Sequence, residues 1–357
     1  MSDPQQQSSA LPATLAAVTA LVTGVVAAVQ LKLLTEFAAL IAKYGVGDLL
    51  LFSMRRTARA AADGLGAELP SLVAQVVERA AHDGASSAGG SGHGHPTPPG
   101  GLDPERESHA QRSARAIRED MLGKLNLLTY RITRFADDVY RAVTADAARA
   151  QVLGLTPAQA HHEAYRKTVR QGVTGFVDSK GRNWELSAYV EMATRTAAER
   201  AYNVSHLERM QSLGFDLFTV TDDGHPCPLC LPWQGKILSA TPNVAADATI
   251  ADAAAAGLWH PNCKHSLVGY LPGVTEIPAP HEWSADDQRL YDESQTQRRL
   301  ERDIRAAKRE LAAAFTPEMR TQAQFQVRRA QARMRDFIAQ SGRVRNSRRE
   351  QINLGAK

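Results

Sequence analysis

The chain has 357 residues, of which 6% are aromatic, and it carries a formal net charge of +4. Few aromatic residues and abundant alanine argue against a β-rich core and favour long helices, and the length is sufficient for two or three domains. The charge is uneven, because residues 285–357 contain 17 Lys and Arg against 10 Asp and Glu. A basic segment of this kind suits nucleic acid, an acidic protein surface, or a solvated helical face rich in ion pairs.

The N-terminal part begins with an apolar segment, since residues 4–31 contain no charged side chain. No basic residue precedes it, so the sequence does not predict a signal peptide. The segment approaches the length of a transmembrane helix, but it consists mainly of Ala, Thr, Gly and Val and is only mildly apolar. Small side chains allow helices to approach closely, so we expect residues 10–31 to pack against other helices and to stay out of the membrane.

Composition and periodicity predict a mainly α fold of long helices with one small α+β module, clipped by zinc and containing a short hairpin near residues 215–270. A stretch rich in Gly, Ser and Pro cannot bury enough apolar surface to become ordered, which predicts a flexible linker. The predicted parts are an N-terminal helical region at 1–81, the linker at 82–101, a helical domain at 102–214, a small Cys/His module at 215–273 and basic C-terminal helices at 274–357.

Apolar residues recur at spacings of three and four after the linker, which predicts a helix with one buried stripe. The stripe consists of Ile117, Met121, Leu125, Leu128, Ile132 and Phe135. Asn183 is predicted to cap the next long helix, and Gly214 is predicted to end it. A strand is predicted at 215–220, with its partner at 237–238.

Two further helices are predicted near the C-terminus. Ser284 is a suitable cap for the first, with acidic residues in the first turn. Thr316 followed by Pro317 starts the second, because proline is favoured at the first helical position. Gly342 follows its end, and the basic residues 343–357 are predicted to be frayed.

The three cysteines of the chain lie within 37 residues of one another. Cys227 and Cys230 form a C-x2-C pair, and His260 and Cys263 repeat the same spacing. A tetrahedral zinc ion needs four such donors, and a short turn lets two neighbouring side chains converge on one ion. The pattern therefore predicts one structural zinc ion held by these four residues.

His265 and His225 are other histidines near the cysteines, but His260 matches the ligand spacing better. The cysteines could instead form a Cys227–Cys230 disulfide, remain inert buried thiols, or include a nucleophile paired with histidine. An odd number of cysteines and the lack of a secretion signal argue against the disulfide. Four protein ligands leave no open coordination position, so the predicted zinc would be structural rather than catalytic.

Five short motifs in the second half of the chain occur in a recognisable order. They are Trp184…Tyr189-Val190-Glu191-Met192-Ala193…Arg195-Thr196, Leu213-Gly214-Phe215-Asp216, Trp233-Gln234-Gly235-Lys236, Gly257-Leu258…His260-Pro261-Asn262-Cys263 and Arg298…Leu300-Glu301-Arg302…Ile304-Arg305. Over about residues 180–345 the chain resembles the minor capsid (head morphogenesis) proteins of tailed bacteriophages. Many members of that group lack the Cys227/Cys230 pair, whereas the head-morphogenesis branch tends to carry cysteines and the His-Pro-Asn-Cys ending.

The resemblance implies a low-copy structural component of the phage head that acts in head assembly near the portal or inner capsid surface, and in DNA packaging or delivery. The expected partners are the portal and other head proteins, with double-stranded DNA contacting the basic C-terminal helices. The expected location is the virion, and the host cytoplasm during assembly. The alternative is a virion-associated enzyme, such as a maturation peptidase or a fused toxin-like activity. Since the sequence contains no G-x-S-x-G, H-E-x-x-H, phosphate-loop or dinucleotide motif, we expect no enzymatic activity.

Overall fold

The computed structural model describes residues 13–89, 104–152, 156–174, 176–177, 181, 183–220, 227–242, 244–260, 263, 265–277 and 282–352. These residues form mainly long helices and two small sheets, which confirms the predicted mainly α class with a small α+β module. The helices are α1 (Ala13–Tyr44), α2 (Asp48–Gly89), α3 (Pro104–Val152), α4 (Pro157–Gln171), α5 (Leu186–Ser212), α6 (Ile250–Ala255), α7 (Ala285–Ala312) and α8 (Pro317–Ser341). The strands are β1 (Phe176–Val177), β2 (Asn183–Trp184), β3 (Leu217–Val220), β4 (Ile237–Ser239), β5 (Ala248–Thr249) and β6 (Leu267–Gly269).

The chain divides into two compact units, each assembled from separate segments. Unit 1 contains the described residues up to Thr19, with Ser71–Leu122 and Met192–Asp292. Unit 2 contains Ala20–Pro70, Gly123–Glu191 and Glu293–Lys357. The five successive parts inferred from composition stay a prediction.

Helix α2 continues to Gly89, so the first part of the predicted linker is helical. The reason lies in its contacts with α5. A Cβ atom at Gly84 would collide with the backbone of Tyr202, so only glycine permits this approach. The Tyr202 hydroxyl also donates to Ser87 Oγ at 2.9 Å. Residues 90–101 of the predicted linker lie outside the described residues.

Unit 1 contains a four-stranded sheet in the order β5-β4-β3-β6. Strand β3 pairs antiparallel with β4 and β6, and β4 pairs parallel with β5. The predicted strand and its partner are thus confirmed, with Leu217 opposite Ser239. One apolar cluster forms the core beneath the sheet: Met210, Leu213, Phe215, Phe218, Val220, Cys230, Leu238, Ile250, Ala253, Leu258, Cys263 and Leu267.

The first turn of α5 is capped by a residue other than the predicted one. Asn183 lies in β2 and pairs with Val177, so the prediction of Asn183 as cap is wrong. The Glu185 carboxylate instead accepts hydrogen bonds from the backbone N–H groups of Ser187 and Ala188, each at 3.2 Å. A carboxylate is favourable there because the N–H groups of a first turn have no partners within the helix.

Among the described residues, α1 alone is long and apolar enough to cross a membrane, from Ala17 to Tyr44. Half of its apolar window is nevertheless buried inside the protein. In unit 2 its buried apolar side chains are Val22, Val26, Leu33, Leu34, Phe37 and Ile41. The buried Gln30 side chain donates to the Glu185 carboxylate at 2.6 Å, and the Tyr165 hydroxyl donates to the Leu34 carbonyl. The described part of the predicted packing segment therefore meets other parts of this chain.

The starts and ends of the last two helices agree with the sequence. Ser284 Oγ accepts from the Asp287 N–H at 3.1 Å, and Thr316 Oγ1 accepts from the Met319 N–H at 3.3 Å. Gly342 ends α8 with a φ of 68°. Leu300, Ile304, Ala307, Ala330 and Met334 form a core between α7 and α8.

Residues 343–352, which follow Gly342, are held in place by ion pairs within unit 2. The prediction that they are frayed is therefore wrong. Arg345 pairs with Glu350 at 2.6 Å, and Arg349 reaches Glu301 at 3.0 Å and Glu191 at 3.1 Å. Glu350 and Glu301 are only 2% and 3% exposed. Buried carboxylates require cationic partners, and these arginines supply them. Residues 353–357 lie outside the described residues.

Candidate metal centre

Two short turns of unit 1 carry the four predicted ligands. The Cys230 N–H donates to the Cys227 carbonyl at 3.1 Å, and the Cys263 N–H donates to the His260 carbonyl at 2.8 Å. Each turn therefore closes over a two-residue gap and directs its two ligand side chains to one region. The first turn precedes a short 3-10 helix at Leu231–Trp233, and the second follows α6.

Side chains of the two turns approach one another in pairs although the turns are far apart in sequence. Cys230 Sγ lies 3.6 Å from Cys263 Sγ, and Cys227 Sγ lies 2.9 Å from His260 Nε2. A tetrahedral zinc site has ligand–ligand separations of about 3.5–3.8 Å, from its usual metal–sulfur and metal–nitrogen distances. The Cys230–Cys263 pair has this separation, while the Cys227–His260 pair would need to open by roughly 0.6 Å.

The ligand atoms form two overlapping groups. Cys227, Cys230 and His260 have donor atoms within 4.8 Å of one another, and so do Cys230, Cys263 and His265. Cys230 belongs to both groups and is fully buried. Among the described residues, the four predicted ligands do not fall into one such group: Cys230 links two groups, and Cys263 is grouped with His265 rather than with His260.

Hydrogen bonds among the three cysteine side chains lower the pKa of two of them and raise the pKa of the third. The hydrogen bond from Cys230 lowers the pKa of Cys227 to about 3, against the opposing effect of burial. The same donor lowers the pKa of Cys263 to about 4, while the pKa of Cys230 itself is raised by its bonds to both neighbours and by burial. Cys227 and Cys263 are therefore the thiols that most readily lose their protons, and Cys230 is the one that most readily keeps its proton. A divalent cation would stabilise the thiolate forms, so the donor set suits a thiophilic metal such as zinc.

The backbone before His260 is strained. Among the described residues other than glycine, Trp259 alone has a positive φ, of 60°. A bulky side chain rarely adopts this conformation, which costs about 1–3 kcal/mol and persists where the surroundings enforce it. Gly257, two residues earlier, has a φ of 118° that only glycine adopts readily. This double turn directs His260 back towards Cys227.

Sequence reasoning missed one member of the cluster. The Gln234 side chain lies 3.1 Å from His265 Nε2, through its own Nε2 atom. Its only signal in the sequence is its place in the Trp-Gln-Gly-Lys motif, which gives no indication of contact with a histidine 31 residues away. His225, the other histidine considered, lies outside the described residues.

Comparison with known proteins shows which protein family contains this cluster. Residues 53–339 match the family described as phage minor capsid protein 2, which is most of the chain. The chain belongs to this family. The match includes α2 from its first turns, the whole Cys/His cluster and nearly all of α8. Membership in the minor capsid protein 2 family confirms the predicted resemblance and makes the chain a structural protein of the phage virion.

A curated relative supports this assignment. It is a protein of Lactococcus phage LL-H named structural protein, and it is 26% identical over 186 residues. The match covers 49% of this chain and 50% of the relative, so the chain spans about half the length of that protein. No solved structure gives a significant match.

Proposed function

We propose that this minor capsid protein acts in head assembly, near the portal or the inner capsid surface, and that a zinc ion stabilises its unit 1. The observation that carries the proposal is the convergence of two C-x2-C-like turns inside the region matched by the capsid family. Cys227, Cys230, His260 and Cys263 would hold the ion. When bound, zinc would cross-link the two turns and leave no open position for catalysis.

The role of the module follows from its position. The first turn lies between β3 and β4, and the second lies between α6 and β6. Strand β3 pairs with both β4 and β6, so an ion joining the turns would fix the loops at both sides of the central strand. Such a small sheet gains little stability from its own hydrogen bonds, and a structural metal supplies folding free energy directly. A rigid surface of this kind suits a contact with the portal or another head protein.

Fractionation of phage-infected cells tests the location. We expect the chain in purified heads at a few copies per particle, and we expect none in the membrane fraction that resists carbonate extraction, because half of the apolar window of α1 is already buried within the chain. Mass spectrometry of heads freed of tails measures both. Recovery in the carbonate-resistant fraction, or absence from heads, would contradict the proposal.

The basic C-terminal helices contain two kinds of arginine. Those with carboxylate partners include Arg333, paired with Asp303 at 3.0 Å, and Arg345. Exposed arginines without a carboxylate partner among the described residues lie mainly on α8: Arg320, Arg328, Arg329 and Arg335. Phe325, which is 56% exposed, lies one turn before Arg328 and Arg329. We infer that this face of α8 contacts the phosphates of packaged double-stranded DNA.

Salt dependence tests the DNA contact. The full chain is expected to bind duplex DNA without sequence preference and to weaken steeply with salt, because phosphate contacts release counterions. The double variant R328Q/R329Q should reduce the slope of log K against log salt by roughly 2. The matched control R56Q/R59Q removes the same charge from the exposed face of α2. Equal losses in both variants, or binding that does not respond to salt, would contradict a specific role for α8.

A further inference from the structure

We propose that His265 is a positioning residue of the metal centre, which holds the Cys263 sulfur by hydrogen bonds, and that Gln234 sets the imidazole tautomer that makes this possible. The inference rests on the zinc site of the proposed function. It assigns different roles to the two histidines of the cluster: His260 binds the metal and His265 supports a ligand.

The first step is the contact with the sulfur. The backbone N–H of His265 donates to Cys263 Sγ at 3.4 Å, and the imidazole Nδ1 lies 3.5 Å from the same sulfur. Both separations are normal for hydrogen bonds to sulfur, which is larger than oxygen. His265 is 5% exposed and Cys263 is 3% exposed, so little water competes for these bonds. Two donors from one residue therefore aim at a single ligand atom.

The second step is the tautomer. The Gln234 amide nitrogen lies 3.1 Å from His265 Nε2, and an amide nitrogen can only donate. His265 Nε2 must accept, so in the neutral ring the proton is on Nδ1, which faces Cys263. A protonated Nδ1 has no lone pair for a metal ion. This tautomer follows from the orientation of the Gln234 amide, since an amide turned with its oxygen towards the ring would accept from a proton on Nε2.

The third step is the anchoring of Gln234. Its backbone forms an isolated parallel bridge with Val220, the last residue of β3, and its N–H donates to the Leu231 carbonyl at 3.1 Å. The following Gly235 has a φ of 76°, which turns the chain sharply into β4. The Gln234 side chain is therefore fixed by the central strand, and a continuous chain of hydrogen bonds leads from the sheet through His265 to Cys263.

His260 also contacts a cysteine sulfur, and its assignment as the ligand follows from its spacing from Cys263, which repeats that of Cys227 and Cys230. Its Nε2 lies 2.9 Å from Cys227 Sγ, within the group of donor atoms that also includes Cys230. The strained turn at Trp259 and the hydrogen bond from the Cys263 N–H to the His260 carbonyl fix its backbone. Outer partners that orient metal ligands typically contribute about 10–100-fold to metal affinity, whereas loss of a ligand changes the coordination itself. Replacing His265 should therefore weaken metal binding, whereas replacing His260 should change the coordination of the metal.

Cobalt(II) substitution of the full chain tests this difference, because four-coordinate cobalt and its thiolate bonds have distinct absorption bands. We expect H265L to retain the four-coordinate spectrum and one metal ion per chain, but to bind about 10–100-fold more weakly. H265N should recover most of the affinity, since the asparagine amide can donate from the position of Nδ1. Q234E should resemble H265L, because a carboxylate draws the ring proton to Nε2. H260A should lose the four-coordinate spectrum.

Several outcomes would overturn the inference. One is a changed coordination spectrum in H265L together with an unchanged one in H260A, which would make His265 the ligand. Another is a cobalt affinity of H265L equal to that of the native chain. A third is a cobalt affinity of H265N that is no higher than that of H265L. The native chain is measured in the same series. If it binds neither cobalt nor zinc, the proposed metal site itself fails, and that failure is distinct from a wrong assignment of His265.

Discussion

Removal of zinc is expected to unfold the region around residues 215–270 of unit 1 while the long helices of unit 2 remain formed. Apparent binding free energies of structural zinc are about 10–16 kcal/mol in small zinc-binding peptides. The four-stranded sheet offers little to replace this, since its longest strand has four residues. Chelation, or the variant C263S, should therefore abolish hydrogen-exchange protection in β3, β4 and β6. Circular dichroism should retain most of the helical signal.

The control for this experiment lies in the same module. Thr249 caps α6, with Oγ1 accepting from the Asp252 N–H at 3.0 Å. The variant T249A should cost about 1 kcal/mol and leave the zinc content unchanged. Elemental analysis of protein purified without chelator should find about one zinc ion per chain. Much less than half an equivalent, or native-like exchange in C263S, would be evidence for inert thiols instead.

The second large effect concerns a buried arginine of unit 2. Arg309 is 6% exposed, lies 3.7 Å from the Glu185 carboxylate and donates to the Arg170 carbonyl at 3.1 Å. It therefore satisfies the C-terminal end of α4, where helix carbonyls have no partner within the helix, while Glu185 caps α5. Burial lowers the pKa of Arg309, which reflects the cost of holding this charge away from water. Removing it leaves a carboxylate and carbonyls without their cation.

We expect R309L to reduce the free energy of unfolding of unit 2 by about 3–5 kcal/mol, which is the usual cost of removing one partner of a buried ion pair. The matched control is R299L, which removes an exposed arginine from the same helix and should change stability by no more than about 0.5 kcal/mol. Urea unfolding followed by circular dichroism measures both, and exchange protection in α4 localises the effect. Equal destabilisation by the two variants would show that Arg309 contributes only through general packing.

The Cys/His cluster illustrates how much of the site follows from sequence. The spacing of Cys227 and Cys230, and of His260 and Cys263, predicts two turns that each direct two side chains to one region, because this spacing is a local property of the backbone; zinc binding by these four residues stays a prediction. Gln234 could not, because its contact with His265 depends on the bridge to Val220 and on the return of the chain after α6. The same holds for the contact of His265 with Cys263, which the ligand spacing does not indicate.

The sequence by itself determined the helical class, the buried stripe of α3 from Met121 to Phe135, the caps at Ser284 and Thr316, the stop at Gly342 and the family. Ile117, the first predicted member of the stripe, is only half-buried. Apart from the family, which follows from the order of five motifs, all of these depend on periodicity or on neighbours within a few residues. Only the tertiary structure decided the helical extension of α2 to Gly89 and the attachment of residues 343–352. The physical reason is that a glycine- or arginine-rich segment is stable in one conformation only when distant groups form hydrogen bonds or ion pairs with it. The Tyr202 hydroxyl of α5 does so for Ser87, and the buried Glu301 does so for Arg349, 48 positions later in the chain.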